Sequence, residues 1–145
     1  MSSAGASGTP LARKLGIRGG SRVLLVGAPE GLATVLAELP GGVELVAAGA
    51  QELDVAVAFV TSLAALREQF GALASALAPA GGLWIAWPKR ASGVATDVLE
   101  GAVREIGLAG GLVDNKVCAI DATWSALRFV RRLRDRPSER SRLSG

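Results

Sequence analysis

The stretch RVLLVGAPEGL, Arg22 to Leu32, constrains the fold more than any other part of the sequence. Its run of β-forming residues ends at Gly27, and Pro29 then stands at the first position of a helical pattern that extends to Leu39. A strand, a glycine turn and an amphipathic helix in this order make the first half of a βα unit. The chain is therefore predicted to build a parallel sheet, because the helix returns along the strand before the next strand begins.

The same alternation continues through the middle of the chain. VELVAA at 43–48 is predicted to be a short strand, and Leu53–Val60 is apolar on both faces, which is typical of a buried parallel strand. Ser62 to Leu77 places its large apolar residues on one helical stripe, and GLWIAW at 82–87 is the next strand. Leu11–Ile17, before the first strand, indicates a short helix or turn.

The last third of the chain predicts one helix and two strands. Asp97 is expected to cap a helix that runs to about Ile106, with Glu100 three residues later as in a capping box. LVDNKVCAI and SALRFVRR then follow as strands joined by DATW, and the alternating polar residues of the first indicate an edge strand protected by charge. Its lone cysteine, Cys118, is expected to be a buried, inert thiol.

Charge is distributed unevenly. The chain has 16 basic and 13 acidic residues, but residues 131–145 hold six arginines against Asp135 and Glu139. The tail at 132–145 is therefore interpreted as basic, disordered and solubilising, with weak non-specific contact to nucleic acid as the alternative. We expect no specific nucleic-acid partner, because the tail lacks aromatic residues that stack on bases.

The long uncharged window from Gln69 to Pro88 does not predict a membrane segment. Pro79, Gly81 and Gly82 divide it into the end of a helix and a short strand. Residues 1–10 are small and polar, and they are predicted to be disordered. They have no basic region followed by an apolar one, so no secretion signal is predicted there. We expect a cytoplasmic protein without a membrane partner, with a single domain over residues 11–131.

Several of these segments resemble the class I S-adenosylmethionine-dependent methyltransferases. LGIRGGSRVLLVGAPEGL, LDVAVAFV and LAPAGGLWIAW resemble that family's first, fourth and fifth strand units, and the closing strands resemble its terminal antiparallel pair. The resemblance implies an α/β, Rossmann-like fold with a mostly parallel sheet, helices on both faces and a C-terminal antiparallel strand pair. More narrowly, ARKLGI, WPK and WSALRFV resemble an uncharacterised bacterial family of domains of unknown function, common in actinobacteria, which implies no activity.

The chain departs from the methyltransferase pattern where the cofactor would bind. Leu25 stands where the family has an acidic residue, and Pro29 replaces the middle glycine between Gly27 and Gly31. Ala47 to Gly49 occupies the place of the carboxylate that holds the ribose, and no room remains for the family's next helix and strand. We therefore expect the glycine turn to survive as structure and no cofactor to bind.

No catalytic residue or metal site is predicted, because the chain has no histidine and no cluster with metal-ligand spacing. Ligands of such sheets bind beyond the carboxyl ends of the strands. That rim is expected to collect the candidate ligand-binding residues Gly27, Pro29, Glu30, Gly31, Trp87, Lys89, Arg90, Ser92, Asp121 and Trp124.

Two interpretations of the WPKR segment remain open. Trp87 beside Lys89 and Arg90 suits an anionic or planar ligand, whereas in the alternative Trp87 only covers the core and the cations are solvated. Glu30 weakens the case for an anion, because its carboxylate already lies at the positive end of the first helix.

The predicted function is a non-catalytic module that binds an unknown small ligand or protein partner through this rim. The alternative is a small transferase that uses S-adenosylmethionine or a nucleotide, with a partner subunit that completes the pocket. Whether the chain is an enzyme stays open at this point.

Deleting residues 134–145 should leave the melting temperature of the folded domain nearly unchanged. The tail has no apolar periodicity with which to dock on the domain, so its removal exposes no core. Differential scanning calorimetry of the full and shortened chains is the test. A fall of several degrees in the shortened chain would show that the tail packs.

Overall fold

The computed structural model describes residues 11–30, 32 and 39–133, and it confirms a mixed α/β fold. The helices are α1 (Leu11–Lys14), α2 (Leu63–Ser75) and α3 (Glu100–Ala109), with a 3₁₀ turn at Arg90–Ser92. The strands are β1 (Arg22–Val26), β2 (Glu44–Val46), β3 (Leu53–Phe59), β4 (Leu77–Pro88), β5 (Leu112–Ala119) and β6 (Trp124–Arg131). The predictions for residues 1–10, for Gly31 and for nearly all of the 132–145 tail lie outside the described residues.

One six-stranded sheet organises the domain, in the order β2-β1-β3-β4-β6-β5. Neighbouring strands are parallel from β2 through β1 and β3 to β4, and β6 pairs antiparallel with both β4 and β5. The prediction of a mostly parallel sheet that ends in an antiparallel pair is confirmed. Strand β5 lies at one edge, as its alternating charges indicated.

Apolar side chains cover the sheet on both faces. On one face Phe70 of α2 meets Phe129 of β6 edge to face, with ring centroids 5.7 Å apart. On the other face Leu15 and Leu32 pack against the central strands, and the ring of Phe59 meets that of Trp124 at 5.2 Å. A helix was predicted over 29–39, and most of that stretch lies outside the described residues. Leu32 is the described residue of the stretch that has a helical backbone, and its side chain is buried.

The start of β4 differs from the prediction. The helix was expected to reach Leu77 and the strand to begin at Gly82, but α2 ends at Ser75 and β4 already begins at Leu77. Leu53 pairs with Leu77 and Val55 pairs with Gly82, so an irregularity separates the two parts of the strand. Pro79 lies in that irregular stretch, where its missing N–H breaks no regular ladder bond.

Asp97 does not cap the helix that follows it, so that prediction is wrong. Helix α3 begins at Glu100 after Leu99 and continues to Ala109, past the predicted end. The Asp97 carboxylate instead accepts a 2.8 Å hydrogen bond from the backbone N–H of Leu63, the first residue of α2. Ser62 caps the same helix by accepting from Ala65, so the first turn of α2 has two side-chain acceptors.

Cys118 is only partly buried, which corrects the expectation of a buried thiol. It lies on β5, and an edge strand has a sheet neighbour on one side only. Desolvation raises the pKa of its thiol, and the positive charges of Lys14 and Lys116 oppose that shift. Because the net shift is upward, Cys118 is less ionised at neutral pH than a free cysteine.

Trp84 anchors α1 to the centre of the sheet. Its indole Nε1–H donates a 2.9 Å hydrogen bond to the carbonyl of Leu15, just after α1. Both residues are almost completely buried, so this bond is shielded from water. A buried indole N–H needs such a partner, and the bond holds the amino-terminal segment against the sheet.

None of the described helices is long and apolar enough to span a membrane.

Replacing Trp84 with Phe should lower the free energy of unfolding by about 1 to 3 kcal/mol more than replacing Trp87 with Phe. Both variants remove the same atoms from a buried ring, but only Trp84 donates a hydrogen bond to another described residue. Urea unfolding of the two variants measures the difference. Equal losses would contradict an anchoring role for the Trp84 bond.

Candidate functional site

The glycine turn after β1 is held by the neighbouring strand. Gly27 has a φ of +67°, and a Cβ built on it would lie 2.9 Å from the carbonyl oxygen of Phe59. Strands β1 and β3 are parallel neighbours, with Val26 opposite Ala58, so the turn lies directly against the end of β3. A side chain at position 27 would meet backbone atoms and force a strained dihedral, so the fold itself requires this glycine.

The end of β2 carries no acidic side chain. After Val46 the chain forms a tight turn in which the N–H of Ala50 donates to the carbonyl of Ala47 at 3.1 Å, and Gly49 has a φ of +98°. The chain then enters β3 at Leu53, and β2 is the edge strand of the described sheet. The position where the methyltransferase pattern has a carboxylate is therefore a turn of small apolar residues.

The predicted rim residues divide between two cavities. A cavity of about 320 Å³ lies at the end of β4, and Trp87 and Arg90 contribute to its wall together with Asp97. Another cavity, of about 300 Å³, is lined among others by Pro29, Glu30, Asp121 and Trp124. Gly27, Lys89 and Ser92 line neither cavity, so the structure does not assemble the nine described candidates into one site.

Hydrogen bonds hold the loop after β4 in place. The ammonium of Lys89 donates to the carbonyl of Asp121 at 2.9 Å, and the Lys89 N–H donates to Thr123 at 2.7 Å. The hydroxyl of Ser92 donates back to the Lys89 carbonyl and accepts from the N–H of Val94. Lys89 therefore joins this loop to the turn between β5 and β6, and Ser92 holds the loop's own conformation.

The aromatic and cationic parts of the WPKR segment differ in exposure. Trp87 is 6 % exposed, so little of its ring can stack on a ligand. Arg90 is exposed at the start of the 3₁₀ turn and lines the cavity. The segment was expected to offer an aromatic ring and two cations to a ligand. In the structure the ring of Trp87 is largely buried, Lys89 is bonded to Asp121, and Arg90 is exposed.

The cavity between the first turn and the β5–β6 connection is acidic. Asp121 accepts hydrogen bonds from the N–H groups of Thr123 and Trp124, each at 2.8 Å, so its carboxylate shapes the connection. Glu30 contributes a second carboxylate, and no described lysine or arginine lines this cavity. Its charge disfavours an anionic ligand. Within the described part of the chain, no group of three metal-ligating side chains occurs.

Sequence reasoning missed a cavity of about 680 Å³ on the α1 side of the sheet. It is lined by Arg13, Lys14, Arg18, Lys116 and Arg128, together with small and apolar residues. These cations come from the two ends of the domain and are spread over more than a hundred positions of sequence. No local pattern marks them. The pairing of β5 with β6 places Lys116 opposite Arg128, and the hydrogen bond from Trp84 to Leu15 holds the end of α1 on the same side of the sheet.

Comparisons with known proteins give structural matches only. No protein-family model matches the chain, and no curated protein matches its sequence. A Thermotoga maritima S-adenosylmethionine-dependent O-methyltransferase superposes with a TM-score of 0.61 at 10% identity, over 86% of this chain and 64% of that enzyme. An Aquifex aeolicus S-adenosylmethionine-dependent methyltransferase gives 0.60 at 15% identity, over 82% and 86% of the two chains.

A TehB-like methyltransferase from Corynebacterium glutamicum matches with a TM-score of 0.56 at 12% identity, over 90% of this chain and 92% of that one. Identities this low establish the shared architecture and no more. The narrower resemblance to an actinobacterial family remains a prediction. The chain has the Rossmann-like fold of the class I S-adenosylmethionine-dependent methyltransferases.

Proposed function

We propose that this domain is a non-catalytic, methyltransferase-like module that has lost the S-adenosylmethionine site and binds a small ligand or a protein partner. The turn at the end of β2 carries the proposal. Folds of this kind hold the ribose hydroxyls of their cofactor with a carboxylate after the second strand. Here Ala47, Ala48 and Gly49 form that turn and offer no side-chain acceptor.

The first turn supports the same conclusion. Pro29 has no backbone N–H to donate and a fixed φ, so it replaces a flexible donor with a rigid residue. Gly27 persists for a reason unrelated to a cofactor, since its contact with the Phe59 carbonyl leaves no space for a side chain. A glycine that looks like part of a cofactor motif is thus accounted for by the packing of β1 against β3.

A small transferase that uses S-adenosylmethionine or a nucleotide is the alternative. It would need a second chain to supply the missing ribose contact, because the described sheet ends at β2. The two proposals differ in their affinity for the free cofactor: the module has none, and the transferase recovers affinity only with its partner.

S-adenosylmethionine and S-adenosylhomocysteine should give no saturable heat in isothermal titration calorimetry with this domain. The ribose and carboxylate ends of both compounds lack their usual partners here. A class I methyltransferase titrated in parallel serves as the positive control. A micromolar dissociation constant, which corresponds to about −8 kcal/mol, would overturn the proposal.

Replacing Gly27 with Ala should cost about 2 kcal/mol or more in the free energy of unfolding, because backbone strain adds to the contact with the Phe59 carbonyl. Gly93→Ala is the matched control, since Gly93 also has a positive φ, of +79°, but a Cβ there meets nothing within 4 Å. That variant should lose only the strain, about 1 kcal/mol. Equal losses in urea unfolding would show that the close approach to β3 does not explain Gly27.

A further inference from the structure

We propose that the cavity on the α1 side of the sheet binds a compact anion that carries two or more phosphate groups. We call it the basic cleft and define it by Arg13, Lys14, Arg18, Lys116 and Arg128. It lies toward the amino ends of the strands, since Arg18 precedes β1. The rim lies at their carboxyl ends, so this site is separate from the proposed function and does not depend on it.

The fold brings these cations together from three places. Arg13 and Lys14 are the last two residues of α1, and Arg18 lies in the segment between α1 and β1. Lys116 lies directly opposite Arg128 in the antiparallel pair of β5 and β6. Lys116 and Arg128 therefore present two cationic side chains on the same face of the sheet.

Arg128 and Lys116 project toward α1. Arg128 also lies opposite Trp84 on β4, and residues directly opposite each other share one face of a sheet. The Trp84 side chain reaches Leu15 at the end of α1, which identifies that face. The cleft therefore has α1 on one side and the charged end of the β5–β6 pair on the other.

Most cations of the cleft have no described counter-charge. Arg13, Lys14, Arg18 and Lys116 make no ion pair with any described carboxylate, and no described acidic residue lines the cavity. Other arginines of the domain are paired: Arg22 binds Glu44, and Arg104 binds both Glu100 and Asp114. A concave surface that concentrates one sign of charge attracts ligands of the opposite sign.

A glycine in a central strand makes room for the guanidinium of Arg128. A Cβ at Gly82 of β4 would lie 2.5 Å from Nε of Arg128 and 2.8 Å from its Cζ. The guanidinium thus rests against the backbone of a buried strand. Glycine weakens a strand interior, and here its missing side chain gives the guanidinium a defined position in the cavity wall.

The lining selects the class of ligand. A volume of about 680 Å³ is within the range of small-molecule sites. Arginine and lysine donate charge-assisted hydrogen bonds to phosphate oxygens, and arginine can do so with two parallel bonds. No described aromatic residue lines the cavity, so it lacks the stacking surface that single-stranded nucleic acids use. A diphosphate group fits these features, either free or as part of a nucleotide.

The test measures the affinity of the intact chain for inorganic pyrophosphate and for a nucleoside diphosphate by calorimetry at low ionic strength. In the double variant Lys14→Ala, Lys116→Ala we expect the affinity for pyrophosphate to fall by about tenfold or more, because two charge-assisted hydrogen bonds are lost. The control, Arg67→Ala with Arg104→Ala, removes the same charge from the two helices on the opposite face of the sheet, outside both the cleft and the rim. Its affinity should stay within about twofold of the parent.

The two ligands distinguish the source of the phosphate. Tighter binding of the nucleoside diphosphate than of pyrophosphate, lost in the cleft variant, supports an organic diphosphate, and equal binding supports a free one. Equal losses in the cleft and control variants would overturn the proposal, because binding would then follow net charge alone. It would also be overturned if neither compound bound, or if a single-stranded oligonucleotide bound more tightly than pyrophosphate through the same two lysines.

Discussion

Strands β3 and β4 bury both of their faces, so the domain needs an apolar layer above and below them. Val57 and Trp84 on one face and Ile85 on the other are all 1 % exposed or less. Helices α2 and α3 supply one layer, and among the described residues α1, Leu15, Ile17 and Leu32 contribute to the other. The short α1 is essential to this arrangement because it closes the second face, and the Trp84 hydrogen bond fixes it there.

The packing of the sheet accounts for the glycine turn after β1 without any cofactor. The approach of Gly27 to the Phe59 carbonyl belongs to the packing of parallel strands, and it persists whether or not a ligand binds. In the turn after β2 a Cβ at Gly49 would meet nothing within 4 Å, and Ala47 and Ala48 have only small side chains. The same α1 that closes the core also carries cations to the wall of the basic cleft. A domain of this size can thus keep the architecture of an enzyme and present a binding surface elsewhere.

The sequence was sufficient to predict features that depend on local periodicity. The buried strand at 53–60, the stripe of α2 and the charged edge strand all follow from alternation or helical spacing. It was insufficient where contacts join distant residues. Asp97 caps a helix that begins 34 positions earlier, and the irregular pairing near Pro79 lengthens β4. The cleft joins α1 to β5 and β6, so its charges meet only through strand register and the packing of α1 on the sheet. Six of the candidate rim residues line one or the other of two separate cavities, because the loops after the strands do not bring them to one place.

Amide shift mapping by two-dimensional ¹H–¹⁵N NMR tests the central claim most directly, because one labelled sample reports on both ends of the sheet. With S-adenosylhomocysteine, the account predicts no saturable change at the amides of Gly27, Glu30 and Ala47–Gly49. With pyrophosphate, it predicts changes at Gly16, Arg18 and Lys116. Saturable shifts at Gly27 and Ala48 with S-adenosylhomocysteine would contradict it, because they would show that the turn after β1 still holds the cofactor.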